Sequence, residues 1–566
     1  MFEKDAAKIL KKLKIENVED KFEVPPQPKF GDLSFPCFDL AKERKQPPHE
    51  IAQEIAEQVM LPDKSAFNRV ASVGGYVNFF VDWENVSTEQ LKKVLKAGEK
   101  FGSSSNFRGK TAVVDYSSPN PAHPIHVGSS RTTFIGESLC RILSSVGWRV
   151  KRICYINDLG KQVAKLLWGY VKFASGQKPD KKPDHWLLDI YVRANREIEA
   201  SEAIQKEVEE ILSKCEAGDK KTLPIVKKLV NWCIDGFKTT YDTIGIKFDE
   251  YLHESKFIEN SKLYVRQMLR KEFAKKLEDG AVLLELEKHG LPNTIILRSD
   301  ATGLYLTRDI AASLYKKKKY NPSLNVYVVA EEQNLHFKQE FKTLELLGYE
   351  KFAKSCTHLG YGYVTLPEGK MSSRLGNVVL IDDVFDEAAK RVREKYTQDE
   401  RIAKAVGIGA TIFSILKVEP NSQVTFKWDE VLKLEGDTGP YVQYAHTRCC
   451  SILEKAKTEG KELDLNHNVD LDLATDKMLT VEKMLVRTLL QFPETVLHAA
   501  ADLRPHYICN YAYELATIFN NFYQQCPVLK AEREQERMLR LLMVAATKTV
   551  LANALRLIGL EALEKM

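Results

Sequence analysis

The chain has 566 residues, 44% hydrophobic and 28% charged, with a formal net charge of +5. That length suits three or four domains, the apolar share excludes general disorder, and the mild basicity permits a nucleic-acid partner without demanding one. The ten cysteines hold no C-x-x-C pair, only the adjacent Cys449 and Cys450, so they read as buried or free thiols in a reducing compartment, with no structural metal.

In chain order, the opening Met1-Phe-Glu-Lys-Asp-Ala-Ala-Lys8 lacks a signal-peptide core and an arginine-rich transit pattern. No uninterrupted apolar run reaches membrane-spanning length, so the expectation is a cytoplasmic protein with no membrane partner. Residues 1–100 read as a small α/β domain. Ile51, Ile55 and Val59 share a helix face after Pro47-Pro48, and Val73 to Val81 reads as a strand entered through a glycine turn. Gly102-Ser-Ser-Ser-Asn106 is a linker.

Residues 106–430 carry the larger α/β pattern. Ala112 to Tyr116 is a short β-branched run that suits a buried strand. Pro119, Pro121 and Pro124 then force a loop. A helix fits from about Ser129, with Ile135, Leu139, Ile142, Leu143 and Val146 on one face and Gly147 ending it. Val150 to Tyr155 is a second strand. The loop sets His123, His126 and Gly128 at the positive end of that helix, a place that suits phosphate.

Residues 162–290 read as a largely helical insertion. Thr294 to Arg298 resumes the sheet, followed by a helix from Tyr305, strand Val326 to Ala330, a helix from Leu335 and a strand near His358. The expected fold class is therefore α/β, a Rossmann-type doubly wound parallel sheet. The lysine run Lys316 to Lys319 reads as a solvated helix end. Residues 431–566 read as an all-helical bundle. Two false leads drop out. Gly109-Lys110-Thr111 lacks the earlier glycine of a P-loop, where Ser104 stands, and Gly360-Tyr-Gly362 lacks the third glycine of a dinucleotide fingerprint, where Thr365 stands.

Two segments carry a resemblance. His126-Val-Gly-Ser129 and Lys370-Met-Ser-Ser-Arg374 resemble, in order and spacing, the H-I-G-H and K-M-S-K-S signatures of class I aminoacyl-tRNA synthetases. Asp115-Tyr-Ser-Ser-Pro-Asn-Pro121, Tyr155-Ile-Asn-Asp-Leu-Gly160, Ser299 to Ile310, Tyr327 to His336, Asp437 to Arg448 and Asn553-Ala-Leu-Arg556 narrow the likeness to the arginyl-tRNA synthetases, over nearly the whole chain.

The resemblance implies activation of L-arginine with ATP and Mg2+, then transfer to the 3′-terminal ribose of tRNA(Arg), by a monomer. It implies His126, Ser129 and Lys370 as catalytic residues. ATP contacts are implied for His123, His126, Gly128, Ser129, His336, Lys370, Met371, Ser372 and Ser373. Arginine contacts are implied for Asp115, Ser117, Asn120, His126, Tyr305, Asp309 and Gln333. Residues 1–100 would touch tRNA through Asn78 and Phe80, with Phe79 beside them. Residues 431–566 would bind the anticodon through Tyr441, Gln443, Tyr444, His446, Asn520 and Tyr523, near Phe522.

The side-chain chemistry agrees. A planar guanidinium with five donors needs acceptors in its plane, and Tyr305 and Asp309, at i and i+4, share one helix face. Interleaved aromatic and polar side chains suit splayed bases. One departure weighs on activity: Ser129 stands where the family has a second histidine, so a tRNA-binding relative without activation, or another class I enzyme, is the alternative.

Overall fold

The structure is a computed structural model that describes residues 2–18, 21–63, 65–299, 303–365, 379–463 and 478–566. The chain divides into two compact units.

The first unit joins residues 1–101 to 448–493 and 514–551. Its antiparallel sheet has the order β1 (Leu33–Pro36), β3 (Tyr76–Val81), β2 (Phe67–Val73). Gly74 makes the β2–β3 turn at φ +58°, a conformation that favours glycine. Phe35, Phe67, Val77 and Phe79 form the buried face, covered by Ile51 and Ile55 of the Pro48–Gln58 helix. The C-terminal helices belong here in part: Lys483 pairs with Glu84 at 2.6 Å, and Arg487 approaches Asp32 at 3.7 Å. Residues 431–566 are thus shared between the units, a division that the uniform helical pattern of that stretch does not reveal. The Glu534–Leu557 helix is long and apolar enough to cross a membrane, yet 72% of its most apolar stretch is buried inside the protein.

The second unit holds residues 102–447, 494–513 and 552–566. Its centre is a five-stranded parallel sheet in the order β11 (Cys356–Tyr361), β10 (Leu324–Ala330), β4 (Thr111–Asp115), β5 (Arg149–Ile156), β6 (Glu250–His253). Ala112, Val113 and Val114 are fully buried, as expected of a strand covered on both faces. The chain order reverses between β4 and β10. Ligands of such sheets bind outside the carboxyl ends of the strands at that switch point. The Val127–Ser145 helix lies so close to β4 that a Cβ on Gly136 would come 2.2 Å from the Tyr116 ring.

Two expectations change. Thr294–Leu297 (β9) does not rejoin the main sheet. It pairs antiparallel with Val282–Leu284 (β8), which pairs with Ala274–Lys276 (β7) in a separate sheet. The edge strand is instead β6, from within the segment read as a helical insertion; its four residues are too few to show a strand period. A short parallel pair joins β12 (Val364–Thr365), which precedes the signature segment in sequence, to β13 (Val424–Thr425).

Candidate active site

The helix after β4 starts two residues earlier than its apolar period suggested, with His126 as N-cap. His126 Nδ1 accepts from the Ser129 backbone N–H at 3.2 Å, and Ser129 Oγ accepts from the His126 N–H at 3.1 Å. This reciprocal capping box satisfies two orphan donors of the first turn. It also fixes the histidine tautomer, with the ring hydrogen on Nε2. Burial lowers the His126 pKa below its ordinary 6.5, so His126 offers a neutral donor. Gly128 is the second helical residue, half-buried.

Ser129 also donates to the His126 carbonyl at 3.0 Å, so its hydroxyl serves the cap. Ser129→Ala is expected to cost roughly 0.5–2 kcal/mol of stability and to lower kcat. Ser129→His should keep or raise kcat while losing the cap bond. Thermal melts beside single-turnover rates check both; a Ser129→Ala enzyme of native stability would remove the cap from the account.

His123 does not stand over the helix start as a cation. It is buried edge-on against the Tyr191 ring at 4.4 Å, and burial, with His126 nearby, pushes its pKa to about 4. The imidazole expected to face phosphate is therefore neutral and packed.

Lys370, Met371, Ser372 and Ser373 lie outside the described residues. Both flanks of that segment meet the capped helix. Val127 N–H donates to the Val379 carbonyl at 3.1 Å, Ile381 N–H to the Ile125 carbonyl at 3.0 Å, and His126 bridges to Leu380. On the other flank, buried Arg131 donates to the carbonyls of Gly362, Ser422 and Glu419.

At the switch point a cavity of about 400 Å³ is lined by Asp115, Tyr155, Tyr305, Asp309, Lys316, Gln333, His336 and Glu340, among others. Asp115 ends β4, Tyr305 and Asp309 come from the Tyr305–Tyr320 helix, and His336 and Glu340 from the Asn334–Leu346 helix. His336 Nε2 lies 2.8 Å from Asp309 Oδ2. Burial lowers the His336 pKa, but the Asp309 bond and the charges of Asp309 and Glu340 together outweigh it and the net shift is upward. His336, expected beside ATP, thus sits in the same cavity as Asp309. Lys316 is no solvated helix end: it is 1% exposed, and its Nζ lies 2.7 Å from Asp115 Oδ2. Burial raises the Asp115 pKa against the pull of Lys316.

A second cavity, about 420 Å³, adjoins the first at Asn157 and Tyr305 and is lined by Asn120, Gln162 and Tyr191. Asn120 opens onto this neighbour. Ser117 opens onto neither; its backbone takes φ +69°, and its hydroxyl is buried between Thr133 Oγ1 at 2.7 Å and Tyr241 Oη at 2.6 Å. Glu340 was not visible in sequence reasoning. The only signal was its i, i+4 spacing from His336.

The residues expected to meet tRNA divide by burial. Gln443 donates to the Glu561 carbonyl at 3.0 Å, and His446 Nδ1 meets the Leu563 carbonyl at 2.8 Å; both are buried and hold the chain's last residues. Asn78 is buried and bonded to the Ser34 hydroxyl, and Phe79 and Phe522 are core. Phe80 is half-buried, with the Arg69 guanidinium 3.7 Å from its ring centre. Tyr441 is half-buried 5.6 Å from Tyr513, while Tyr444 is exposed. Tyr523 is exposed beside Arg448, which donates to Asn520 at 2.6 Å.

The family model for the class I (R) tRNA synthetase catalytic domain matches residues 90–428, the stretch that carries the parallel sheet, the histidine-capped helix and the acidic cavity. The arginyl tRNA synthetase N-terminal domain matches 1–81, and the DALR anticodon binding domain matches 442–566. The chain is 38% identical to the arginine–tRNA ligase of Clostridium perfringens, covering 98% of this chain and 97% of that one. It is 36% identical to that of Clostridioides difficile, covering 97% and 96%. The solved arginyl-tRNA synthetase of Thermus thermophilus superposes with a TM-score of 0.84 at 29% identity, covering 100% of this chain and 99% of that one. The fold is that of a class I aminoacyl-tRNA synthetase. Within that class, the chain belongs to the arginyl-tRNA synthetase family, and its activity is that of an arginine–tRNA ligase.

Proposed function

We propose that the 400 Å³ cavity holds the guanidinium of L-arginine, with Asp309 as its carboxylate partner, Tyr305 and Gln333 beside it, and Asp115 at the β4 end. The observation that carries this reading is the convergence of acid and hydroxyl acceptors from three elements on one cavity at the switch point. ATP enters with Mg2+ as substrate. The helix N-terminus capped by His126, with Gly128 and Ser129 in its first turn, faces the phosphates with backbone N–H groups and a neutral imidazole donor. Lys370 supplies positive charge to the phosphoryl oxygens.

The arginine carboxylate oxygen attacks the α-phosphorus of ATP in line, and the bond to the bridging oxygen breaks, releasing pyrophosphate. A terminal ribose hydroxyl of tRNA then attacks the carbonyl carbon of the adenylate, and AMP leaves. Positioning and charge stabilisation supply the catalysis, with no covalent enzyme intermediate. A neutral donor held in a preorganised cap stabilises developing charge without reorganising, which supports an active enzyme despite Ser129.

Tyr523 with Arg448 and Asn520, Tyr444 and Phe80 are the proposed tRNA contacts, because they keep exposed or half-buried faces. A cytoplasmic monomer is the working state that we propose, since one chain lines both cavities and the family serves translation.

Charging bulk tRNA with each amino acid in turn tests the reading: arginine alone should be attached. Lys370→Ala is expected to slow ATP–pyrophosphate exchange, measured with tRNA present, while arginine binding stays near native, because its charge acts mainly in the transition state. An unchanged exchange rate would remove Lys370 from the mechanism.

A further inference from the structure

We infer that Glu340 is a specificity-determining residue of the arginine cavity, a second carboxylate for the bound cation. The inference rests on the reading of that cavity as the guanidinium site. Glu340 is 0% exposed. One oxygen, Oε1, accepts from Ser313 Oγ at 2.6 Å, and Ser313 in turn meets the Tyr327 hydroxyl. The other, Oε2, is buried without a hydrogen-bond partner. A buried acid normally has its partners, because desolvation otherwise goes uncompensated.

Among the described residues, the cations acting on it are bonded to other carboxylates. Lys316 is engaged by Asp115 at 2.7 Å, and His336 by Asp309 at 2.8 Å. Yet Glu340 lines the same cavity as Asp309. Asp309, Ser313 and Lys316 lie at i, i+4 and i+7 on one helix. His336 and Glu340 lie at i and i+4 on another, so two acid-bearing faces line one space. A guanidinium has five donors in a plane and can fork onto one carboxylate while donating edgewise to another. A ligand of that chemistry supplies both the donor and the positive charge that Oε2 lacks; a neutral isostere offers N–H donors without the charge.

The titration behaviour follows. Burial, with the charge of Asp309 adding to it, pushes the Glu340 pKa to about 7. Asp309, His336 and Lys316 act on it by charge, and the Tyr327 hydroxyl and the Cys356 thiol are the other titratable groups that feel it. A bound cation pulls that pKa back down, so binding releases a proton wherever free Glu340 is protonated. Arginine affinity is therefore highest above pH about 7 and falls as the pH drops through that value. His336 titrates in the same direction by competing for Asp309, and Glu340→Gln separates the two contributions.

The test uses the full-length protein and calorimetric binding of L-arginine and its neutral isostere L-citrulline across that pH range, in buffers of different ionisation enthalpy. Native protein should bind arginine with proton release near neutral pH. Glu340→Gln should weaken arginine binding roughly 10- to 100-fold above neutral pH, reduce its pH dependence to the part set by His336, weaken citrulline binding far less than arginine binding, and leave ATP binding as it was. Equal arginine affinity and equal proton release in native protein and Glu340→Gln would overturn the role of Glu340 while leaving the arginine site intact. Native protein that binds arginine with no proton release near neutral pH would overturn it without any variant. Failure of native protein to bind arginine at all would instead overturn the reading of the cavity.

Discussion

Asp309→Ala is expected to raise the KM for arginine by roughly 10- to 100-fold or more, with the KM for ATP little changed. Removing one partner of a charged hydrogen bond costs about 1.5–3 kcal/mol, and each 1.4 kcal/mol is about a factor of ten. Asp309 faces the cavity rather than solvent at large, and His336 holds it in the free protein. Arg308, its chain neighbour, is engaged elsewhere, at 2.5 Å from Glu254. The alanine variant therefore loses an acceptor meant for the ligand and breaks no buried structural pair. Separate KM values from pyrophosphate exchange decide it. Equal losses for arginine and ATP would show a general disturbance of the site and reject the assignment. Asp309→Asn should fall nearly as far, because the amide keeps the shape and loses the charge.

Lys316→Met is expected to destabilise the larger unit by about 3–5 kcal/mol. Both side chains of the Lys316–Asp115 pair are nearly inaccessible, 1% and 8% exposed, and their atoms lie 2.7 Å apart. Removing the ammonium leaves a carboxylate buried at the end of the central strand. The ammonium also lies 4.0 Å from the Tyr327 ring centre, a further contact that methionine would exchange for packing. Asp115→Asn combined with Lys316→Met should recover most of the loss, because no unpaired charge remains. Urea unfolding followed by tryptophan fluorescence measures both. If the double variant is as unstable as Lys316→Met alone, the damage comes from lost packing and the ion pair is not its cause.

The sequence by itself determined the family, the order of elements through the β4 to β5 region, and the pair of signature segments. These are contiguous stretches, and their turns, caps and apolar periods act over a few residues. Gly147 ends its helix, and Pro119 to Pro124 prevent one, wherever the rest of the chain lies. Tyr305 and Asp309 were legible for the same reason, since helix geometry alone puts them on one face. The cap at His126 was within reach too, but helical N-caps are usually Ser, Thr, Asp or Asn, and histidine hid it.

Tertiary structure alone decided which chemistry each of these side chains keeps. Lys316 reads as one of four solvated lysines until the helix packs against β4 and sets it on Asp115. His336 reads as a nucleotide ligand, and only the meeting of two helices shows that it is also joined to Asp309. Gln443 and His446 read as base contacts until the chain's last residues fold onto them and take their hydrogen bonds. Glu340 carries no local mark beyond its i, i+4 spacing from His336, and burial beside Asp309 makes it a chemical group of interest. Propensity and periodicity are properties of neighbours in the chain. Burial, and with it the worth of a charge or a hydrogen bond, belongs to neighbours in space, which no one-dimensional pattern records.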